Sequence, residues 1–412
     1  MIYPRKIKNQ ILKQFDNELT IVIVGMRRVG KTYLLYDLFD QIKTKNKIFL
    51  DLEKPENRQV FNEENFEAII NNLKILGINL KEKKPGEKNI NQEKAWIFLD
   101  EIQYLKKIPT IIKYLTDHYQ IKFIVTGSSS FYLKNLFSES LAGRKIIFTL
   151  SPLDFGEFLL FRGKTNVPKA SSLKELVLFN TKMVYSLYQP LFEEYLTTGG
   201  FPQAVLTDDK EKRKSLLFEI INSYIFIDIK TLANFKEIEN LEKLIYLLPS
   251  RISQKLEISK LASEIGVSRE TIKNYLFFLE NTFIIKRIKP FSLNPDREIS
   301  TTPKLYFIDI GLAQALAFIS EGQILENIVF SHLSKNFYHI NYYQKKSGLE
   351  IDFVVDKKIA IEVKNFADQS DYRKLKKMAD FLKIREYYLF TKKIALNSNK
   401  NLLPIFLLGF LS

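Results

Sequence analysis

The sequence predicts an α/β chain: a P-loop parallel sheet, a helical lid, a winged helix-turn-helix module and a C-terminal α/β domain. Three stretches carry that prediction. TIVIVGMRRVGKTYLL (20–35) is an apolar strand, a loop of the form G-x-x-x-x-G-K-T, then a helix. AWIFLDEIQ (95–103) is a second buried-type strand, ending in two acids. LEIDFVVDKKIAIEVKNF (349–366) alternates apolar and polar residues with the period of two strands around a short charged turn.

At 412 residues the chain exceeds one ordinary core, so two to four domains are expected. A hydrophobic share of 46% with 26% charged residues fits a folded chain. The absence of cysteine excludes disulfides, thiolate zinc sites and cysteine nucleophiles, and fits a cytoplasmic setting. MIYPRKIKNQILKQF at the start has no apolar segment, so no signal peptide is expected, and the tail PIFLLGFL is about half a membrane span. The net charge of +15 favours a polyanionic partner, with DNA the usual one. A lysine-rich, AT-biased composition explains the same charge without a partner.

Each element of the first site follows from phosphate chemistry. Gly25 and Gly30 let the loop Gly25–Met26–Arg27–Arg28–Val29–Gly30 wrap backbone N–H groups around phosphates of ATP. Lys31 reaches the β- and γ-phosphates, and Thr32 turns its hydroxyl to Mg²⁺. Asp100 fits the carboxylate that holds Mg²⁺, and Glu101 is placed to orient the attacking water, which argues for hydrolysis over transfer to an acceptor. The strand IKFIVTGSSS (121–130) ends in hydroxyls. If it inserts between the P-loop and acidic strands, Thr126 or Ser128 touches the γ-phosphate or the water; a polar turn is the plain alternative. Arg144, ahead of a fifth strand, offers an arginine finger to a neighbouring copy and hence implies a homo-oligomer, or else is a surface arginine beside Glu139. No histidine–acid pair accompanies the serines, so serine nucleophilic catalysis is rejected.

GMRRVGKT, FLDEIQ, TGSSS, LAGR with LSPLDFGEF, and YLTTGGFPQAV (195–205) together resemble the bacterial and archaeal AAA+-type (ASCE P-loop) ATPases with a conserved C-terminal domain of unknown function. The resemblance implies a five-stranded parallel sheet flanked by helices, with Lys31, Thr32, Asp100 and Glu101 in the roles above. Members usually carry proline where this chain has Met26.

From 156 to 240 the pattern is helical, broken by Gly199–Gly200–Phe201–Pro202, and the resemblance implies a lid against the nucleotide. ISKLASEIGVSRETIKNYLFFLENTFIIKRIKPF (258–291) outlines a winged helix-turn-helix. Leu261, Ala262 and Ile265 form one helical face, Gly266 makes the turn, Ser268 caps the next helix, and a strand with a basic tip follows. In a DNA-reading version Ser268, Arg269, Thr271, Lys273 and Asn274 face the groove while Lys286, Arg287 and Lys289 grip phosphate. Such modules also serve as packing domains.

The last third has the order α-β-β-β-α-β, with Glu326 on the first helix, Asp352 on the second strand and Glu362-x-Lys364 on the third. That order and those residues resemble the PD-(D/E)XK nuclease core over roughly 320–395. Glu362 and Lys364 lie two apart and share a strand face. A three-residue loop Asp356–Lys357–Lys358 places Asp352 opposite Glu362, whereas a two-residue turn sends it to the other face. Held together, Glu326, Asp352 and Glu362 bind Mg²⁺ or Mn²⁺ and Lys364 orients the attacking water. The alternatives are a solvated amphipathic hairpin, or the fold without the activity. His118, His332 and His339 have no zinc-ligand spacing.

The predicted domains are 1–155 (P-loop AAA+-type ATPase), 156–240 (helical lid), 241–300 (winged helix-turn-helix) and 301–412 (PD-(D/E)XK-like). The expected function is Mg²⁺-dependent ATP hydrolysis coupled to DNA binding or remodelling, with a last domain that cleaves phosphodiesters. The alternatives are a nucleotide-dependent switch that binds partners and cuts nothing, and an ATPase acting on protein partners without DNA. No membrane partner is expected.

Overall fold

In the computed structural model, residues 3–83, 94–127, 143–224, 238–292, 302–345, 348–393 and 401–412 are described. Contacts divide the chain into two units, residues 1–151 with 281–283, and residues 152–280 with 284–412.

The first unit is built on five parallel strands: β1 (Thr20–Val24), β2 (Lys47–Asp51), β3 (Ala95–Asp100), β4 (Ile121–Gly127) and β5 (Lys145–Thr149), in the order β2-β3-β4-β1-β5. Strand β4 therefore lies between the P-loop strand and the acidic strand, the insertion on which a Thr126 contact depends. Every residue of β1, β3 and β4 is buried, as befits central strands covered on both faces. The helix Ile108–His118 supplies one cover through Ile108, Ile111, Ile112 and Leu115, an i, i+3, i+4, i+7 stripe against Ile97, Leu99, Phe123 and Val125.

The second unit joins three parts of the sequence. Helices Phe155–Phe161, Lys182–Thr198 and Lys210–Ser223 come first. Helices Ile238–Leu247, Ile258–Ile265 and Arg269–Asn281 follow, then an antiparallel pair of β6 (Ile285–Ile288) and β7 (Lys304–Phe307). Segment 252–256 pairs with the other edge of β7: Ser253 N donates to Leu305 O at 2.8 Å and Leu256 N to Pro303 O at 2.9 Å. Last comes the helix Glu321–Asn336, then β8 (Ile340–Gln344), β9 (Glu350–Val355), β10 (Ile359–Phe366), the helix Gln369–Phe381, β11 (Glu386–Lys393) and β12 (Leu402–Pro404). The sheet order is β12-β11-β10-β9-β8, and its α-β-β-β-α-β core has the expected order.

The contacts group the chain differently from the expected domain bounds. Residues 156–240, expected as a lid over the nucleotide, belong by their contacts to the second unit. Their partners include the C-terminus: Ala170 N donates to Phe410 O at 2.8 Å, and Asn180 Nδ2 to Leu402 O at 3.0 Å. The apolar tail is the reason, since Ile405 to Phe410 form a buried 3-10 helix that needs a helical cover. The expected boundary at 300 falls between β6 and the β7 strand it pairs with.

Candidate functional site

Thr20–Val24 delivers the chain to the phosphate-binding loop at the C-terminal end of β1. A side chain at Gly25 would bring a Cβ to 2.3 Å from Leu150 O, so only glycine fits there. Met26 and Val29 point into the core, which answers the missing proline: the loop is anchored by apolar burial. Lys31 Nζ donates to the carbonyls of Gly25 and Met26, each at 3.1 Å, which holds the ammonium over the loop.

Asp100, at the end of β3, is the centre of the site. Thr32 Oγ1 donates to its Oδ2 at 2.6 Å, and Thr126 Oγ1 donates to its Oδ1. The backbone N–H of Glu101 donates to Thr126 Oγ1 at 3.1 Å. Burial pushes the Asp100 carboxyl up, and the two threonine hydroxyls oppose that by binding its charged form. Glu101 sits in the left-handed region at φ 53°, and its carboxylate accepts from Gln103 Nε2. A hydroxyl and a carboxylate meeting beside the P-loop lysine are the hard oxygen donors Mg²⁺ takes, so these residues fit that ion.

Of the two hydroxyls expected at the end of β4, Thr126 bonds Asp100 and the Glu101 amide, and Ser128 lies outside the described residues. Arg144 pairs with Asp117 at 2.9 Å, as a half-exposed surface arginine would, though Glu139 lies outside the described residues. It stands at the start of β5, where Thr20 pairs with Lys145, roughly 16 Å along the sheet from its own P-loop.

The C-terminal cluster rests on hairpin register. Val355 faces Ile359, Val354 faces Ala360 and Phe353 faces Ile361, so Asp352 falls opposite Glu362, as the three-residue loop requires. Val354 and Ala360 are fully buried along with Ile351 and Phe353, so this is not an amphipathic hairpin with one solvated face. Asp352 Oδ2 accepts from Val363 N at 2.8 Å, and Lys364 Nζ lies 2.8 Å from Glu362. Glu326 Oε1 accepts from Tyr306 OH at 2.6 Å and from Lys304 Nζ at 3.3 Å, and Lys304 also pairs with Glu350.

The metal expectation concerns these same carboxylates. Among the described residues no group of three or more His, Asp or Glu could hold a metal ion. As arranged, Lys304 holds Glu326, Lys364 holds Glu362 and a backbone amide holds Asp352.

Burial and the Asp352 charge push Glu362 up to about 8 and Glu326 to about 7, with lysines opposing. The folded state thus keeps protons that the unfolded chain releases near pH 4.5. Stability from these groups is whole below that pH and is lost as pH rises to about 8. Urea denaturation is expected to show a midpoint falling across this window, and Glu362→Gln to flatten the fall. An unchanged slope in that variant would remove Glu362 from the account.

An AAA domain model matches residues 17–159, and two domains of unknown function follow, DUF8612 over 189–323 and DUF4143 over 321–407. The uncharacterized protein MJ1544 of Methanocaldococcus jannaschii is 30% identical over 359 residues, which is 84% of this chain and 73% of that protein. The chain belongs to the family of that archaeal protein. An uncharacterized protein of Haemophilus influenzae is 28% identical over 370 residues, 87% of this chain and 84% of its own length. The N-terminal unit is accordingly an AAA+ ATPase domain of the P-loop class. Among solved structures, Cdc6p from Pyrobaculum aerophilum shares 15% identity over 80% of this chain and 96% of its own. Its TM-score of 0.28 carries no argument.

Three contacts escaped the sequence reading. Arg5 donates to Val29 O at 2.8 Å and to Ser151 O at 2.6 Å, tying the P-loop backbone to the segment after β5. Lys304 and Tyr306 reach Glu326 across 22 and 20 residues. Arg287, expected on phosphate, is instead held by Glu280 at 2.8 Å. Only the last was open to sequence reasoning, through the seven-residue spacing of opposite charges across a helix-to-strand turn.

Proposed function

We propose that this protein hydrolyses ATP with Mg²⁺ and uses the nucleotide state to control a DNA-binding second unit. The observation that carries the first half is Asp100, with one oxygen held by Thr32 and the other by Thr126. Thr32 and Asp100 would hold Mg²⁺, which supplies charge neutralisation on the β- and γ-phosphates. Lys31 exchanges its loop carbonyls for phosphate oxygens. Glu101 orients the water and accepts its proton, and Thr126 reports phosphate loss to both acids. Lys31→Ala is expected to abolish ATP binding in a calorimetric titration; retained binding would sink this assignment.

The DNA half is supported by the helix pair 258–281, which turns at Gly266 with φ +81°. Ser268 caps the second helix through Thr271 N at 3.0 Å, leaving Arg269, Lys273 and Asn274 exposed, and Lys286 and Lys289 are exposed beside the β6–β7 pair. Lys286→Ala and Lys289→Ala are each expected to weaken DNA binding equally on unrelated sequences and to lower the salt slope by about one. No salt-dependent binding by the wild type would leave only protein partners.

For the C-terminal sheet, the occupied carboxylates favour the reading in which it binds partners and cuts nothing. Incubation of wild type and Lys364→Ala with plasmid DNA and Mn²⁺ tests it, and cleavage lost only in the variant would restore the nuclease reading.

A further inference from the structure

The acid cluster has an unusual neighbour. Lys304 is only 4% exposed, and its ammonium joins groups from three separate elements. Glu326 comes from the helix Glu321–Asn336, Glu350 from the start of β9, and the Tyr342 ring of β8 lies 5.4 Å away. Lys304 itself is on β7, which pairs with β6 on one edge and with segment 252–256 on the other. Tyr306, two residues on along β7, reaches the same Glu326 oxygen. One strand therefore carries both donors that hold the helical acid.

A buried ammonium is tolerated only where carboxylates repay its lost hydration, and buried carboxylates are tolerated only beside a cation. Glu326, Glu350 and Asp352 would repel one another without one. Cross-linking oxygens from several elements is what a divalent ion does in a structural metal centre. Lys304 meets the same need with three N–H donors and a single charge.

We propose that Lys304 is the resident cation of this cluster and that, in place, it excludes a divalent ion from Glu326, Glu350 and Asp352. The proposal rests on the non-cutting reading of the C-terminal sheet. It makes the wing-like β7 strand, rather than a metal, the clamp on the acidic centre.

The test adds Mn²⁺ to the nucleotide-free full chain and follows thermal denaturation and calorimetric binding. Asp100→Asn is included in every protein, so that the P-loop site adds nothing. Lys304→Met is expected to melt below its parent in EDTA and to recover on adding Mn²⁺. Its Mn²⁺ affinity is expected to exceed the parent's by at least about tenfold, the scale of one charge at contact distance in a partly screened site. Lys304→Arg, which keeps the charge, is expected to behave as the parent. Adding Asp352→Asn to Lys304→Met is expected to cancel the recovery. If Lys304→Met fails to fold in EDTA, Lys304→Gln gives the same readout with a smaller packing change.

Mn²⁺ binding as tight in the parent as in Lys304→Met would overturn the proposal, and so would no response to Mn²⁺ in Lys304→Met and Lys304→Gln. Neither result alone touches the non-cutting reading, which only DNA cleavage by the wild type would overturn.

Discussion

Glu101→Gln is expected to stop ATP turnover while leaving ATP bound. The drop in kcat is expected to be about 10²–10⁴-fold, the usual contribution of a positioned general base, with ATP affinity within a few-fold of wild type. The split follows from the geometry. Asp100 has both oxygens engaged by threonine hydroxyls, so it is committed to holding Thr32, Thr126 and the ion that it and Thr32 would share. Glu101 is the acid beside it that accepts from a side-chain amide, that of Gln103, which water can displace. Its left-handed backbone turns the side chain away from the line of β3, and Thr126 holds its N–H in that turn. Glutamine keeps the size and the Gln103 contact but cannot accept a proton. Phosphate release and calorimetric ATP titration on the same preparation separate the two effects. Retention of more than about a tenth of the turnover would put the base elsewhere. Loss of binding would make Glu101 part of the nucleotide cradle.

How much of this was legible depended on how local each signal was. Gly25 to Thr32 and Asp100–Glu101 sit on short segments whose conformation is dictated by their own residues, so the P-loop and its acidic strand could be read directly. The register of Asp352 against Glu362 was also readable, because hairpin pairing is fixed by the number of residues in one loop. Lys304 was hidden for the opposite reason. Its partners lie 22 and 46 residues ahead, and only the placement of β7 between 252–256 and β6 brings them together. The partners of the helical segment were hidden by similar physics. Helical periodicity shows that 182–198 buries a face, but the face it meets includes the aromatic rings of a tail more than 200 residues away. The GGFP stretch gave its place in the resemblance and nothing of its reason, which is steric and tertiary.

That reason leads to the second large effect. Gly200→Ala is expected to cost the second unit about 2–6 kcal/mol, the sum of an overpacked contact and an orphaned buried group. A Cβ at Gly200 would lie 2.1 Å from Leu153 O and 2.8 Å from Leu153 N. Both are backbone atoms, held there by the Leu153 N–H donating to Gly200 O at 2.7 Å, so no rotamer change can relieve the clash. If the two segments part, Asp309 loses the Gly200 N–H that donates to it at 2.6 Å, keeping its bond from Leu312 N at 2.9 Å. Burial already pushes Asp309 up to about 6 from 3.8, with these amides opposing the rise. Its contribution to stability is whole below pH 3.8 and lost as pH rises through about 6. The amide matters most to the ionised acid, so the deficit of Gly200→Ala is expected to be larger at pH 7.5 than at pH 5. Urea denaturation followed by far-UV circular dichroism measures both. Gly322→Ala is the control, since a Cβ there meets nothing within 4 Å, and its midpoint is expected to stay near wild type. Equal shifts in the two variants would mean that the close approach of Gly200 to Leu153 is not what keeps this loop glycine.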